Sequence, residues 1–255
     1  MKKISVTNQK GGVGKSTVCV HLAWRAAEQG IRTCVVDFDA QGNTSSTLAG
    51  NKLTPNACVT SQLFTESAIP EPLSVSENLD LIAADFKLND VESFELKAIT
   101  YPGNHLDKMQ NKYDLIIFDT PPQNGRRLLA ALSTSDYVIS PLTMDKFALD
   151  GVTELQRTIK SIQKKVNPKI VNLGLLPNRI KHASSNQILK LSKLREALGD
   201  LVSPYYLVDR VAITDAIEKG NAVWVKARGG SARQAASEMT SVIDNILKRL
   251  GYERS

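Results

Sequence analysis

Short, almost unbroken apolar runs alternate along the chain with longer segments whose apolar residues recur every three or four positions. "ISVTN" (4–8), "RTCVVDFD" (32–39), "LDLIAAD" (79–85), "YDLIIFDTPP" (113–122), "DYVISPL" (136–142) and "KIVNLGLLPN" (169–178) read as strands. Two prolines stop the fourth of these, and a further short strand is expected near 201–207. "STVCVHLAWRAAEQG" (16–30) has helical spacing and ends on Gly30, and helices are expected near 147–166, 185–198, 211–219 and 231–250. Residues 42–78, rich in Thr, Ser, Asn and Pro, predict loop with short helices. Strands alternating with helices imply an α/β fold: a doubly wound, mostly parallel sheet with helices on both faces. No repeat, linker or low-complexity stretch interrupts the sequence, so a single domain over residues 1–255 is expected.

Composition narrows the class. With 42% apolar residues in 255, the chain can bury one sizeable core, and with 5% aromatics a stacking platform for single-stranded nucleic acid is not expected. Cys19, Cys34 and Cys58 lack metal or redox spacing, and the first two sit in apolar runs, as core residues of a reducing compartment do. There is no leader-like h-region and no long apolar run, so a cytoplasmic location without membrane insertion is expected. The formal charge of +6 is unevenly placed: residues 1–155 carry −4 and residues 156–255 carry +10. A basic C-terminal part suits either a solvated surface or a face for a polyanion.

The candidate chemistry begins in "NQKGGVGKST" (8–17), between the first strand and the first helix. Gly11, Gly12, Val13 and Gly14 offer consecutive backbone N–H groups at a helix N-terminus, the arrangement that cradles a β-phosphate. Lys15 is placed to reach the β- and γ-phosphates and the Ser16 hydroxyl to ligate Mg²⁺, with Thr17 next in the phosphate-binding loop. Gln9 stands where the general phosphate-loop pattern has its first glycine, and Lys10 is a cation that pattern does not require. Asp119, ending "LIIFD", is expected beside the magnesium. Asp37 and Asp39 end the second strand. Asp39, nearer the loop, is assigned to positioning the attacking water, and Asp37 to the outer shell of the metal.

In this order and spacing "KGGVGKST", "VVDFDAQGN" and "YDLIIFDTPP" resemble the deviant Walker A, Walker A′ and Walker B motifs of ParA/MinD-type ATPases. "FALDGVTELQRTIKSI…NPKIVNLGLLPNR" is similar to the ParA/Soj middle segment and "GNAVW" to its late loop, so the resemblance covers nearly the whole chain. Ala40 departs from it, at a place where the family usually has proline. The resemblance implies ATP and Mg²⁺ as cofactors, a P-loop NTPase fold, and an ATP-dependent homodimer. In that dimer Lys10 reaches the partner's phosphates, two facing ATP molecules of about four negative charges each otherwise repelling one another. It implies an adenine contact for Asn178.

Three uses of such an ATPase are separable by sequence. A partition ATPase of the ParA type binds nonspecific double-stranded DNA, with a ParB-like or other adaptor stimulating hydrolysis. Candidate DNA contacts are Lys181, Lys190, Lys193 and Arg195 around one helix, and Lys226, Arg228 and Arg233 near the last. Arg126 and Arg127 are candidates for the adaptor surface. A MinD-like membrane-associated ATPase needs a free amphipathic C-terminal helix. Met239, Val242, Ile243, Ile246, Leu247 and Leu250 do form a stripe, which reads better as core. Gln9, where MinD-like proteins tend to keep glycine, leans the same way. An iron–sulfur reductase of this superfamily would need a cysteine after the Asp119 strand, and there is none. No helix-turn-helix precedes residue 4, so operator binding is not expected.

Overall fold

The computed structural model describes residues 1–52, 58–66, 71–145 and 148–253. Strand β1 (Lys2–Val6) leads through the glycine loop into helix α1 (Lys15–Glu28), then β2 (Thr33–Asp37) and the short α2 (Asn43–Ala49). An antiparallel pair follows, β3 (Leu73–Ser76) and β4 (Leu79–Ile82), then two 3-10 segments and α3 (Tyr101–Asp107). The rest alternates: β5 (Leu115–Asp119), α4 (Arg126–Thr134), β6 (Tyr137–Leu142), α5 (Ala148–Lys165), β7 (Val171–Pro177) and α6 (Ser185–Leu198). Helices α7 (Val211–Glu218) and α8 (Gly230–Arg249) end it.

The seven strands form one sheet in the order β3-β4-β2-β5-β1-β6-β7, parallel at every step except β3 with β4. Every residue of β2 and β5 is buried, as expected of parallel strands covered on both faces. Helices α1 and α8 cover one face, packing on Ile4, Val6, Val35 and Ile117. Helices α4, α5 and α6 cover the other near β6 and β7, on Val138, Leu142 and Leu175. The stripe of α8 is part of this core: Met239, Val242, Ile243, Ile246, Leu247 and Leu250 are all buried. Arg25 of α1 clamps Asp244 of α8 at 2.8 and 2.9 Å. The ammonium of Lys2 donates to the Leu250 carbonyl, and the Tyr252 hydroxyl donates to the Asp114 carbonyl at 2.6 Å. Arg254 lies outside the described residues.

Several boundaries differ from the sequence reading. Strand β1 starts at Lys2 rather than residue 4, because backbone pairing carries Lys2 and Lys3 alongside Leu115 and Ile116 without needing apolar side chains. The segment expected as loop with short helices does hold the short α2, but it also holds the edge strand β3, of which only Val75 is buried. No strand forms over 201–207. A 3-10 turn (Gly199–Leu201) gives way to single bridges at Val202 and Val208, and Pro204 between them has no N–H for a ladder. The helix expected from 147 is described from Ala148, residue 147 lying outside the described residues. Helix α4, opening with the two arginines, was not expected.

Candidate nucleotide site

The site lies at the carboxyl ends of the parallel strands, where chain reversals leave a crevice. A cavity of about 620 Å³ opens there. Gly11, Gly12, Gly14, Lys15, Ser16 and Thr17 line its phosphate end. Gly14 precedes α1 in a left-handed conformation with φ of 92°, and a Cβ there would come within 2.1 Å of the Asn178 amide nitrogen. Only glycine satisfies both the conformation and the contact. A Cβ on Gly11 or Gly12 would meet nothing within 4 Å, so the loop is open toward the cavity.

The loop is braced from three sides. Asn8 donates to the Pro141 carbonyl at 2.7 Å and accepts from the Lys10 N–H at 2.9 Å. Gln9 donates to Asn124 at 3.0 Å and to Thr158 of α5 at 2.8 Å, giving the departure from the general pattern a structural use. Asn178, buried at the end of β7, donates to the Val13 carbonyl at 2.7 Å and accepts from the Arg179 N–H at 2.9 Å. Asn178 also lines the cavity, so the expected base contact and this bracing fall on one side chain.

The two lysines separate cleanly. Lys15 is buried, its ammonium 3.5 Å from the Lys10 carbonyl, and burial lowers its pKa while Asp119 and Asp39 pull it back up. The Lys10 side chain is 55% exposed, is absent from the cavity lining, and its ammonium pairs with Asp145. The Lys10 ammonium therefore lies outside the cavity that Lys15 lines.

The carboxylates divide likewise. Asp37 and Asp119 are paired neighbours in adjacent strands, both buried. Burial raises the pKa of each, and for Asp37 the neighbouring Asp119 adds to it. Asp119 is eased in the opposite direction by the Ser16 and Thr44 hydroxyls and by Lys15. Its Oδ2 accepts from Thr44 at 2.7 Å, and its buried Oδ1 has no hydrogen-bond partner among the described residues. That orphaned oxygen beside a serine hydroxyl fits a magnesium ion, which takes oxygen ligands and keeps phosphate and water in its shell. Ser16 and Asp119 are the residues that would hold it. Asp37, expected in the outer shell, has oxygens that accept from the Asp39 N–H at 3.1 Å and from the Ser45 N–H and hydroxyl at 2.9 and 2.7 Å. Neither Asp37 nor Asp119 lines the cavity itself; both lie beneath it at the ends of β2 and β5. Asp39 does line it, together with Gln41, Asn43, Ser46 and Thr47, which sequence reasoning missed. The run of small hydroxylated residues after Asp39 was the available signal. Val208, Ile213 and Ile217 also line the cavity, interleaved with the charged Arg179, Asp209, Arg210 and Glu218, a mixed wall that offers a base both apolar contact and polar partners.

A family model described as an AAA domain matches residues 1–172. The sporulation initiation inhibitor protein Soj of Bacillus subtilis is 30% identical over 227 residues, covering 87% of this chain and 90% of Soj. The chain belongs to the ParA/Soj-type partition ATPases. Protein IncC of Escherichia coli is 31% identical over 257 residues, spanning 98% of this chain and 70% of IncC. The ATP complex of McdA from Cyanothece shares the fold, with a TM-score of 0.85 at 18% identity, over 100% of this chain and 98% of McdA. This ParA/Soj-type protein is an ATPase. Cobyrinic acid a,c-diamide synthase from Mycobacterium smegmatis, which shares the fold with a TM-score of 0.79 at 24% identity over 100% of this chain and 97% of that one, holds ADP and magnesium.

The basic residues expected on DNA fall into two groups. Lys181 and Lys193 are exposed beside and on α6, whereas Lys190 donates to the Asp145 carbonyl at 3.0 Å. Arg195 is spent on the Ser203 and Pro204 carbonyls at 3.2 and 2.9 Å. Lys226, Arg228 and Arg233 are exposed near the start of α8. Helices α6 and α8 belong to different core clusters, one on each face of the sheet. Arg126 and Arg127 are not a free adaptor surface. The Arg127 Nε donates to Glu92 at 2.8 Å, with its side chain 8% exposed, and Arg126 donates to the Glu92 carbonyl. Both arginines tie α4 to the 3-10 segment Phe86–Ser93, which precedes α3 and β5 in the chain.

Proposed function

We propose that this ATPase is an ATP-dependent dimerisation switch that positions DNA or a similar cargo. With ATP bound, two protomers face each other across the phosphate loops, and Lys10 of each contributes to the partner's site. The dimer binds nonspecific double-stranded DNA, and a ParB-like or other adaptor stimulates hydrolysis and release. The observation that carries the reading is the outward aim of Lys10, whose exposed pairing with Asp145 costs little to exchange for a phosphate. Within the protomer Lys15 neutralises the β- and γ-phosphates and Asp39 orients the attacking water, while bound magnesium supplies charge neutralisation at the phosphates. Lys181, Lys193, Lys226, Arg228 and Arg233 are the cations left for DNA, to be joined into a face by the second protomer.

The membrane-associated alternative finds no support, since the apolar stripe of α8 is occupied by the core and no helix among the described residues is long and apolar enough to cross a membrane. The test is DNA binding with ATP and with ADP. The parent and Asp39→Ala should bind with ATP only, Asp39→Ala more persistently, and Lys15→Ala not at all. Equal affinity with both nucleotides, or binding that ignores salt, would refute the switch or its electrostatic basis.

A further inference from the structure

Helix α2 has two working edges. Asn43, Ser46 and Thr47 face the nucleotide cavity, while Thr44 and Ser45 are buried and turned toward the paired carboxylates of β2 and β5. Each carboxylate receives one hydroxyl: Thr44 Oγ1 donates to Asp119 Oδ2 at 2.7 Å, and Ser45 Oγ donates to Asp37 Oδ2 at 2.7 Å. Ser45 Oγ also accepts from the Ala84 N–H at 2.8 Å, which fixes the helix to the segment after β4. Among the described residues the Thr44 hydroxyl shows no such second tie, only the bond to the carboxylate.

A carboxylate with one oxygen held by a fully buried hydroxyl cannot rotate freely about its last bond. Holding Oδ2 leaves Oδ1 as the buried oxygen with no hydrogen-bond partner among the described residues, on a carboxylate that Ser16 also stabilises. Groups that orient a ligating carboxylate in this way typically account for about 10- to 100-fold in metal affinity. We propose that Thr44 is a positioning residue for the magnesium-bound state of the nucleotide: its hydroxyl sets the carboxylate of Asp119 so that Oδ1 faces the metal. The proposal rests on the reading of Asp119 as the carboxylate beside magnesium. It ties α2, whose other edge touches the cavity, to the metal side of the site.

The test compares the affinity for a non-hydrolysable ATP analogue with magnesium and with EDTA, by calorimetry or a fluorescent nucleotide. The ratio of the two isolates the metal-dependent part of binding. Thr44→Val keeps the shape of the side chain and removes the hydroxyl; Thr44→Ala removes it without a branched replacement, and serves if the valine variant folds poorly. Either should lower the ratio by about 10-fold or more while leaving the EDTA affinity near that of the parent, and Thr44→Ser should restore the ratio. A parental ratio in the valine or alanine variant overturns the proposal, as does an equal loss with and without magnesium, which would mark plain damage to the cavity. Asp119→Asn distinguishes the underlying reading: if it too keeps the parental ratio, Asp119 does not serve the metal, whereas its loss beside an intact Thr44→Val refutes the role of Thr44 alone.

Discussion

His21 offers the most direct reading of how the phosphate-loop helix is tied to the rest of the molecule. It is fully buried on α1, with Nδ1–H donating to the Thr17 carbonyl at 2.7 Å and Nε2 accepting from the Val223 N–H at 3.2 Å. The rings of Trp24 and Trp224 meet it edge-on at 5.3 and 5.5 Å. These partners fix the neutral tautomer, because a proton on Nε2 would face a backbone N–H. Burial accordingly lowers its pKa from 6.5 to about 4. The unfolded chain takes up this proton first on acidification. The stabilisation is therefore complete above about pH 6.5 and is lost as pH falls toward about 4, by about 3 kcal/mol over that window. Chemical unfolding of the parent and of His21→Gln, measured from pH 7.5 to 4.5, isolates this contribution as the difference between the two curves. That difference should shrink or reverse on acidification, and one that stays constant with pH would refute the buried neutral histidine. The segment Val223 belongs to follows α7, whose Ile213 and Ile217 line the cavity; because the folded histidine stays neutral until about pH 4, it should leave the nucleotide affinity of the folded protein unchanged across that window.

Gly14→Ala forces a side chain into a left-handed conformation and against Asn178, and should abolish nucleotide binding with a backbone cost of about 1–3 kcal/mol, read by nucleotide titration and thermal unfolding. Glu92→Gln leaves the buried Arg127 without its counter-charge and should destabilise the fold by about 2 kcal/mol in urea unfolding, with nucleotide affinity little changed. Asp145→Asn breaks an exposed pair and should change folding stability by less than about 1 kcal/mol, as expected if Lys10 is held loosely enough to be exchanged.

The sheet and the glycine loop were legible in the sequence because each has a local signature. Buried parallel strands such as "LIIFD" are continuous in apolar residues, and the glycine run demands a special backbone. What stayed hidden depends on distant partners. Asp37 resembles a metal-shell carboxylate in sequence, and only the fold shows Ser45 and the Asp39 N–H occupying it. Gln9 stood out as a departure, but its partners Asn124 and Thr158 are 115 and 149 residues away. Arg126 and Arg127 looked like surface cations until Glu92 was found beneath them. The charge excess of the C-terminal part was plain, yet only the fold shows Lys190 and Arg195 spent on backbone carbonyls.

The dimer switch is tested most directly by the mass of the particle in solution. In sedimentation with Mg-ATP, Asp39→Ala should run as a dimer and with ADP as a monomer. The double variant Lys10→Ala/Asp39→Ala should stay monomeric with Mg-ATP while still binding the nucleotide, because only the contact made across the interface has been removed. A Lys10 variant that dimerises as readily as its parent, or a parent whose mass ignores the nucleotide, would contradict the role assigned to that lysine.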